Sequence, residues 1–428
     1  MTSCRHSTVN MLAVLILMVS PVIAQQSDGP PVFEQQLLAG DPGDGAWFGE
    51  NVAIDGDTVV VGARHEDLDE FNTEYWDNGA VYVYVSNAGV WTLQQKITSD
   101  IVQWSLSFGC VVDISGDTLI IGSYYWNTYR GFAEIWVRSA GVWTFEQRLT
   151  ADPGAANQWY GFRAAVDGDT AIVGAFNATG AGAAHVYTRS AAVWTLEQEI
   201  SAPVPDPGDR FGIAVDIHGD TAVVGDSNPP GIAHVFTRTA GTWTLEQSLV
   251  PAGMDHERFG GQIDLDGDQV NIGDGFADVD TVVDAGAAHV FTRTAGVWTE
   301  EQRLVSGDPE QDARFGTATA IDGDVVLVGE RDRDLDALSD SGAASVFHRS
   351  GGTWNTVAVL AASDPDLGAQ FGFDVGLAGG TAVIGAKMYD HSSFTDAGGA
   401  DVFLVDNIFI FADGFESGDT DMWGSVTP

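Results

Sequence analysis

The sequence predicts an all-β fold in which seven similar units close into a ring, and three observations predict it. An aromatic-glycine pair recurs seven times, at intervals of 48 to 60 residues. Each unit carries four short segments rich in β-branched and aromatic residues, separated by turn residues. The two chain ends hold complementary parts of one unit. Together these features are typical of a seven-bladed β-propeller of four-stranded antiparallel blades. The pairs are Phe48-Gly49, Phe108-Gly109, Tyr160-Gly161, Phe211-Gly212, Phe259-Gly260, Phe315-Gly316 and Phe371-Gly372.

The four segments of a unit are called strands A to D. Strand A starts at the aromatic-glycine pair and ends at a turn such as Asp55-Gly56-Asp57. Strand B is an apolar run that ends in glycine, strand C reads Gly-x-Ala-x-Val-aromatic, and strand D opens with Trp-Thr, as at Trp91. Asp-Gly between two apolar runs indicates a tight hairpin, because glycine tolerates the positive φ that such turns require. A solenoid of stacked units is the alternative architecture.

The chain ends favour a ring over a solenoid. The seventh unit has strands A to C and ends near Phe403 without a Trp-Thr strand. The missing strand is found at the other end of the chain, where residues 33–37 match the strand D residues 196–200. An N-terminal strand paired with the last blade would remove both open sheet edges. We therefore predict a ring over residues 32–405 that is closed by the N-terminal strand.

The repeated units resemble FG-GAP repeats, the modules of the integrin α-chain propeller, and in particular a bacterial variant rich in Trp-Thr strands. The integrin-type repeat places a calcium loop of alternating carboxylates between strands A and B. Here that position holds only Asp55-Gly56-Asp57 and its equivalents. Two or three residues are too few to surround a cation that needs six to eight oxygen ligands. The calcium sites of the family are therefore not expected at this position.

The segments outside the ring suggest export. Residues 1–24 have a weakly basic start, an apolar stretch and a small-residue site at Ala24, which is typical of a cleaved signal peptide. Residues 25–31 read as a short linker. Residues 406–428 resemble a short tail found at the C-termini of exported bacterial proteins. This tail is either a sorting or surface-retention signal or a final strand that packs on the ring. The expected location is secreted or at the bacterial cell surface.

Charge excludes several classes of partner. The chain has 61 acidic and 18 basic residues and a formal net charge of −43. Nucleic-acid binding needs cationic side chains that replace phosphate counterions, so we expect no nucleic-acid partner. Binding to an anionic membrane surface is disfavoured for the same reason, and no segment predicts membrane insertion. Only one cysteine, Cys110, would remain after cleavage at Ala24, so core packing alone must hold the fold together.

Standard catalytic motifs are absent from the sequence. It contains no Gly-x-Ser-x-Gly elbow, no His-Glu-x-x-His and no phosphate-binding loop. Cys110 follows an aromatic-glycine pair at the start of an inner strand, which indicates a core thiol. No set of asymmetric polar groups is seen to converge on the central channel, as the site of a propeller enzyme would require. A non-catalytic protein is therefore expected, and no cofactor is required.

Departures from the repeat indicate where function lies, because the repeated residues build the ring. The B–C loops and the D–A connections open on one face, called here the loop face, where the loops vary most. Blades 1 to 3 carry large aromatics there, which are able to stack on sugar rings or anchor a protein. Packing within the loops is the alternative role. The candidate ligand-binding residues are Trp47, Tyr75, Trp76, Trp104, Tyr124, Tyr125, Trp126, Tyr129 and Trp159.

The second departure is acidic. The B–C loops of blades 1, 5, 6 and 7 are long, and the loop of blade 6 is rich in carboxylates. Such spacing is able to ligate calcium, although the full spacing of a known site is absent and a solvated acidic surface is the alternative. The candidate metal ligands are Asp332, Asp334, Asp336 and Asp340.

These features predict an exported, monomeric, non-catalytic recognition or adhesion propeller. The expected ligand is a glycan or an extracellular protein, bound at the loop face and centred on the aromatic loops of blades 1 and 2. Tyr124, Tyr125 and Trp126 are expected to be exposed there. An extracellular propeller enzyme (a hydrolase or a lyase) and a purely structural surface protein are the alternatives.

Overall fold

The computed structural model describes residues 30–68, 76–151, 156–253, 258–335, 337–391 and 393–405. These residues form seven four-stranded antiparallel sheets, which confirms the predicted all-β propeller. The predicted signal peptide, the tail 406–428, and the candidates Tyr75 and Asp336 lie outside the described residues.

The strands are numbered β1 to β28 along the chain. The inner strands A are β2 Phe48–Asp55, β6 Val112–Ser115, β10 Tyr160–Asp167, β14 Ala214–His218, β18 Gln262–Asp266, β22 Ala318–Asp322 and β26 Phe371–Ala378. Strands B are β3 Thr58–Ala63, β7 Thr118–Ser123, β11 Thr170–Ala175, β15 Thr221–Asp226, β19 Gln269–Asp274, β23 Val325–Glu330 and β27 Thr381–Ala386. Strands C are β4 Ala80–Asn87, β8 Phe132–Ser139, β12 Ala183–Ser190, β16 Ile232–Thr239, β20 Ala287–Thr294, β24 Ala343–Ser350 and β28 Gly399–Leu404. The outer strands D are β1 Val32–Leu37, β5 Val90–Ile97, β9 Val142–Leu149, β13 Val193–Ile200, β17 Thr242–Leu249, β21 Val297–Leu304 and β25 Thr353–Leu360.

Two helical turns lie within the described part of the chain, α1 Trp126–Tyr129 and a 3₁₀ turn at Ala178–Gly180. Neither is long and apolar enough to cross a bilayer.

The N-terminal strand β1 is the outer strand of the seventh blade. It pairs antiparallel with β28, with Val32 opposite Leu404 and Leu37 opposite Ala400. The seventh sheet therefore combines one strand from the start of the chain with three from its end. The Gln35 side chain of β1 also contacts the first blade, where its amide accepts the N–H of Trp91 at 3.0 Å and donates to its carbonyl at 2.9 Å. The two ends of the ring are thus joined both within a sheet and between blades.

The same glutamine contact recurs at the outer rim. In each copy, a glutamine amide on one strand D bonds both the N–H and the carbonyl of a tryptophan on the next strand D. Satisfying two buried backbone groups with one side chain fixes the spacing between neighbouring blades. The pairs are Gln35 with Trp91, Gln95 with Trp143, Gln147 with Trp194, Gln198 with Trp243, Gln247 with Trp298 and Gln302 with Trp354.

The aspartate that begins the Asp-Gly-Asp turn also joins blades. Asp55 accepts the N–H of Gly116 in the next blade at 2.6 Å, and Asp167 does the same for Gly219. The carboxylate of this aspartate therefore links two neighbouring blades. This contact gives a structural reason why the short A–B turn carries acidic residues without forming a calcium loop.

The aromatic-glycine pair packs the inner end of each blade. Phe48 is fully buried, and Gly49 has a φ of 86°. A Cβ atom at Gly49 would collide with the carbonyl oxygen of Gly399 in the neighbouring blade. Glycine is thus required here by both the backbone conformation and the close approach of the blades.

Cys110 lies in the blade core, as predicted. It is a free, buried thiol, and its Sγ lies 3.4 Å from the Gly161 carbonyl oxygen. Burial raises the pKa of the thiol to about 12. Because the thiolate is the reactive form, this cysteine is suited to packing rather than to nucleophilic chemistry.

Candidate functional site

On the loop face, hydrogen bonds join D–A connections to the preceding B–C loops. Ser105 donates its N–H to the carbonyl of Trp76, Trp159 donates to Tyr129, and Gly368 donates to Ser339. Both kinds of loop therefore form one continuous surface around the central channel.

The aromatic residues of blades 2 and 3 form one connected cluster on this surface. The rings of Tyr124 and Trp159 stack at 5.0 Å, and those of Tyr129 and Trp159 also stack at 5.0 Å. Tyr125 lies between them, 4.5 Å from the Tyr124 ring and 4.7 Å from the Tyr129 ring. The structure thus brings together four of the predicted ligand-binding residues. This group, with Phe162 and Phe176, is called the aromatic wall.

The expected exposure of Tyr124 is wrong. Its exposed fraction is only 4%, because it packs between Trp159 and Phe162 and its hydroxyl lies 3.1 Å from Nη1 of Arg64. Trp126 is half-buried and lies edge-on against Phe132 in the core. Tyr124 therefore supports the wall from behind rather than contacting a ligand.

The other predicted aromatics lie apart from the wall. Trp104 and Trp76 are exposed, at 63% and 42%, on adjacent loops of blades 1 and 2. Trp47 lies beside His65, with tilted rings whose centroids are 4.3 Å apart, and Arg64 connects it to Tyr124 of the wall. Two cations form cation–π contacts with the Trp47 ring, with Arg64 at 4.9 Å and Lys387 at 4.5 Å from the ring centroid.

A concentration of cations at the channel mouth was missed by the sequence analysis. Seven of the 18 lysines and arginines of this acidic chain lie there. Several lie over aromatic rings, as where Arg258 and Arg314 lie over Phe276 at 4.3 and 5.1 Å. The expectation that no polar groups converge on the channel is therefore wrong. The seven residues are Arg64, Arg163, Arg210, Arg258, Arg314, Arg331 and Lys387.

The largest part of this mouth is a pocket of about 520 Å³ formed by blades 3 to 6. Trp159, Phe162 and Phe176 of the aromatic wall line one side of it. Four arginines line the remainder, and no carboxylate is present among the described residues that form its lining. They are Arg163, Arg210, Arg258 and Arg331. We call this the arginine pocket.

Three of these arginines, Arg163, Arg210 and Arg258, form no ion pair with a described carboxylate, whereas Arg331 lies 3.2 Å from Asp332. Asp374 and Asp226 interact with Arg163 and Arg210 only at longer range. The backbone N–H groups of Arg210 and Arg258 donate to Asp226 and Asp274, so these carboxylates position the chain rather than the guanidinium groups. The pocket is therefore suited to an anionic group next to an apolar or ring-shaped one.

A smaller pocket of about 280 Å³ adjoins the arginine pocket. The two share Phe162, Arg163, Gln262 and Arg331 as lining residues. Glu50 is buried there and pairs with Arg64 at 2.7 Å. Asp374 also lines this pocket, and burial raises its pKa to about 6. This carboxylate is therefore protonated more easily than an aspartate in water.

Below the mouth, three aspartates occupy one repeat position inside the channel. Asp113, Asp216 and Asp264 belong to blades 2, 4 and 5 and accept N–H groups of the next inner strand at 2.6 to 2.7 Å. They contact the channel space but lie deep in the ring. Burial raises the pKa of Asp113 and of Asp264 to about 7, and burial together with the Asp264 charge raises that of Asp216 well above its ordinary value.

In the acidic loop of blade 6, Asp332 and Asp334 form hydrogen bonds or ion pairs with other groups of the protein. Asp332 pairs with Arg331 and Arg314 and accepts the Gln370 amide at 2.7 Å. Asp334 accepts the N–H of Asp340 at 2.9 Å. Across the residues that the structure describes, no group of three or more histidine, cysteine, aspartate or glutamate side chains is placed to hold a metal ion. Calcium binding by this loop stays a prediction.

One sequence signal pointed to the missed cations. Arg210, Arg258 and Arg314 occupy the repeat position that holds Trp47 and Trp159 in blades 1 and 3. The alternation of tryptophan and arginine at one position is informative in a chain with so few cations. Arg331 and Lys387 follow strand B, at the start of their B–C loops, so their convergence depended on knowing the ring geometry.

Fold and site define the chain as a β-propeller with a cationic, aromatic mouth on its variable face. The FG-GAP repeat profile matches residues 31–84, 91–131, 143–187, 194–231, 298–347 and 354–403. These segments cover more than half of the chain, which therefore belongs to the FG-GAP repeat family. No curated protein matches this chain.

Among solved structures, the chain is similar to a "putative 6-phosphogluconolactonase" from Bacteroides uniformis. The identity is 12% and the TM-score is 0.51, over 74% of this chain and 86% of that one. At this identity the likeness concerns the propeller fold alone.

Proposed function

We propose that this chain is an exported, non-catalytic recognition propeller that binds an acidic glycan in the arginine pocket. The observation that carries the proposal is the composition of that pocket, which has four arginines and no carboxylate among its described lining residues in a chain of net charge −43. Evenly distributed acidic residues would repel any polyanion. A cationic mouth in such a chain focuses anions on one place.

The aromatic wall supports a sugar as the neutral part of the ligand. Trp159 is half-buried and contacts both tyrosines and phenylalanines of the wall, which holds its ring in place. Aromatic faces stack on pyranose rings, while arginines bind carboxylate or sulfate groups through two parallel hydrogen bonds. A pocket of about 520 Å³ falls within the usual range for small-ligand sites.

A protein partner is the second candidate, and a separate observation favours it. Trp76 and Trp104 are exposed on adjacent loops of blades 1 and 2. Exposed tryptophans are frequent anchors at protein interfaces. In this case Trp104→Ala would abolish binding while changes in the arginine pocket would have little effect.

Binding of full-length protein to charged and neutral polysaccharides tests the proposal. Polygalacturonate and hyaluronan provide carboxylates, heparin provides sulfates, and dextran is the neutral control. We expect the acidic polymers alone to bind, and we expect affinity to fall as salt is raised because exposed charges are screened. Equal binding of dextran, or binding without any effect of salt, would contradict the proposal.

A further inference from the structure

The two lysines of this chain lie in opposite environments. Lys96 and Lys387 are the only lysines in its 428 residues. The ammonium group of Lys96 lies 2.8 Å from both Asp41 and Glu66. Two carboxylates at this distance engage the Lys96 ammonium group in ion pairs.

Lys387, in contrast, has no carboxylate within ion-pairing distance among the described residues. It follows strand β27 and has an exposed fraction of 8%. Its Nζ lies 3.8 Å from the Phe373 ring centroid and 4.5 Å from that of Trp47. The two rings hold the end of the side chain in place, and neither ring provides a negative charge that would pair with the amine.

Burial favours the neutral amine of Lys387 and is the main reason why its pKa falls to about 8. Among the neighbouring charges, Glu50 has the largest effect and favours the ammonium form, whereas the cations Arg64 and Arg331 favour the neutral amine and Asp332 opposes them. The cation–π contacts also favour the ammonium form, but contacts of this kind contribute only about 0.5–2 kcal/mol. The charged groups that face the amine are Glu50, Arg64, Arg163, Arg331, Asp332, Asp374 and Asp396.

The amine also borders open space. Lys387 lines the smaller pocket of about 280 Å³, together with Glu50, Arg64, Arg163 and Asp374. This pocket joins the arginine pocket through shared residues, so an anionic ligand gathered at the mouth has direct access to the amine.

We propose that Lys387 is an imine-forming amine, which captures the carbonyl group of a small anionic aldehyde or keto acid in this pocket. The neutral Nζ attacks the carbonyl carbon, and the proton lost by nitrogen passes to the carbonyl oxygen to give a carbinolamine. Loss of water then gives the imine, with Asp374 as the acid available in the pocket to protonate the leaving hydroxyl. Hydrolysis reverses both steps, so the capture is reversible and consumes no further reactant.

The neighbouring arginines select for an anionic carbonyl compound. Arg64, Arg163 and Arg331 line the same pocket, and Arg64 shares its charge with Glu50. A carboxylate next to the carbonyl would pair with the remaining guanidinium groups and place the carbonyl near Nζ. Neutral aldehydes lack this second contact.

Trapping with a reductant tests the proposal on the full chain. The protein is incubated with glyoxylate and sodium cyanoborohydride at pH 8, and carboxymethylation of each lysine is followed by peptide mass spectrometry. We expect Lys387 to react at least about tenfold faster than Lys96, because burial lowers the pKa of Lys387 to about 8 and its amine lines an open pocket, whereas the amine of Lys96 is engaged by two carboxylates. Propionaldehyde, a neutral probe, should reduce this preference.

The comparison of labelling rates at Lys387 and Lys96 within the wild-type protein decides the result even if a variant fails to fold. A rate at Lys96 equal to or above that at Lys387 would overturn the proposal. Lys387→Arg should lose the labelling at this position and leave Lys96 labelling and the melting temperature unchanged. The result is independent of glycan binding, so a failure here leaves the proposed function intact, and a failure to bind polysaccharide leaves this inference intact.

Discussion

The outer rim and the channel mouth both combine arginine with aromatic rings, yet they do so for different purposes. At the rim, Arg238 lies 5.2 Å from the Trp243 ring centroid and pairs with both Asp220 and Glu197. At the mouth, Arg258 lies 4.3 Å from the Phe276 ring centroid and pairs with no described carboxylate. The rim arginine pairs its charge inside the protein, whereas the mouth arginine has no described carboxylate partner and is available to the ligand that we propose.

The rim arginines are repeated in most blades, whereas the mouth arginines are not. The rim arrangement recurs in five blades. Each arginine lies over the tryptophan of strand D in its own blade and pairs with the aspartate that follows the glycine of the A–B turn. The arginines are Arg138, Arg189, Arg238, Arg293 and Arg349. The mouth arginines differ in position and surroundings from blade to blade. In a repeat protein, contacts shared by all units stabilise the ring, and the residues that break the pattern are free to bind a ligand.

The largest effect should follow from removing a rim tryptophan. Trp143 is 1% exposed, and its indole N–H donates to Gln94 at 2.9 Å. We expect Trp143→Ala to lower the free energy of unfolding by about 3–5 kcal/mol, because it leaves a cavity and removes the indole partner of the Gln94 side chain. Chemical denaturation checks this. Trp104→Ala is the matched control and should change stability by less than about 0.5 kcal/mol. Similar losses for both variants would contradict the division between rim and loop face.

A smaller, pH-dependent effect should come from the channel. The pKa of Asp264 is about 7 in the folded protein and lies above its value of 3.8 when solvated. The folded state therefore binds more protons between these values, so the contribution of Asp264 to stability is full below pH 4 and is lost as the pH rises through 7. Asp264→Asn should keep the oxygen that accepts the Ile321 N–H and remove this loss.

We expect Asp264→Asn to exceed the wild-type protein in stability by about 1 kcal/mol at pH 8 and to show no gain at pH 4. Melting temperatures over this pH range measure the difference. Asp220→Asn, on the exposed A–B turn, is the control and should show no such gain at pH 8. A variant that loses stability at pH 8 would show that the ionised carboxylate is favourable in the channel.

The smallest effect concerns calcium. Asp332 is engaged by two arginines and Asp334 by the backbone of Asp340. We expect a chelator to change the stability by less than about 0.5 kcal/mol. A site that is occupied at one hundred times its dissociation constant would instead add about 2.7 kcal/mol, which thermal unfolding with and without calcium would detect.

The ring was predictable from sequence because its determinants are local and repeated. Gly49 and Asp55 recur in most units, so backbone conformation and blade contacts were visible as a pattern. The aromatic wall was predicted in part, since Tyr125, Tyr129 and Trp159 are unusual for their positions. Burial of Tyr124 was not predictable, because it depends on contacts with Arg64 and Trp159, both distant in sequence. The cationic mouth was missed for the same reason: its members lie on six blades and meet only when the ring closes.

The most direct test of the account compares two arginines by the same substitution. Arg258→Gln alters the arginine pocket, and Arg238→Gln alters the repeated rim. Calorimetric titration with an oligogalacturonate should show at least about tenfold weaker binding for Arg258→Gln with an unchanged melting temperature. Arg238→Gln should bind normally and melt earlier, with a loss of about 1 kcal/mol. Normal binding by Arg258→Gln, or equal loss of binding in both variants, would contradict the claim that the unrepeated mouth is the recognition site.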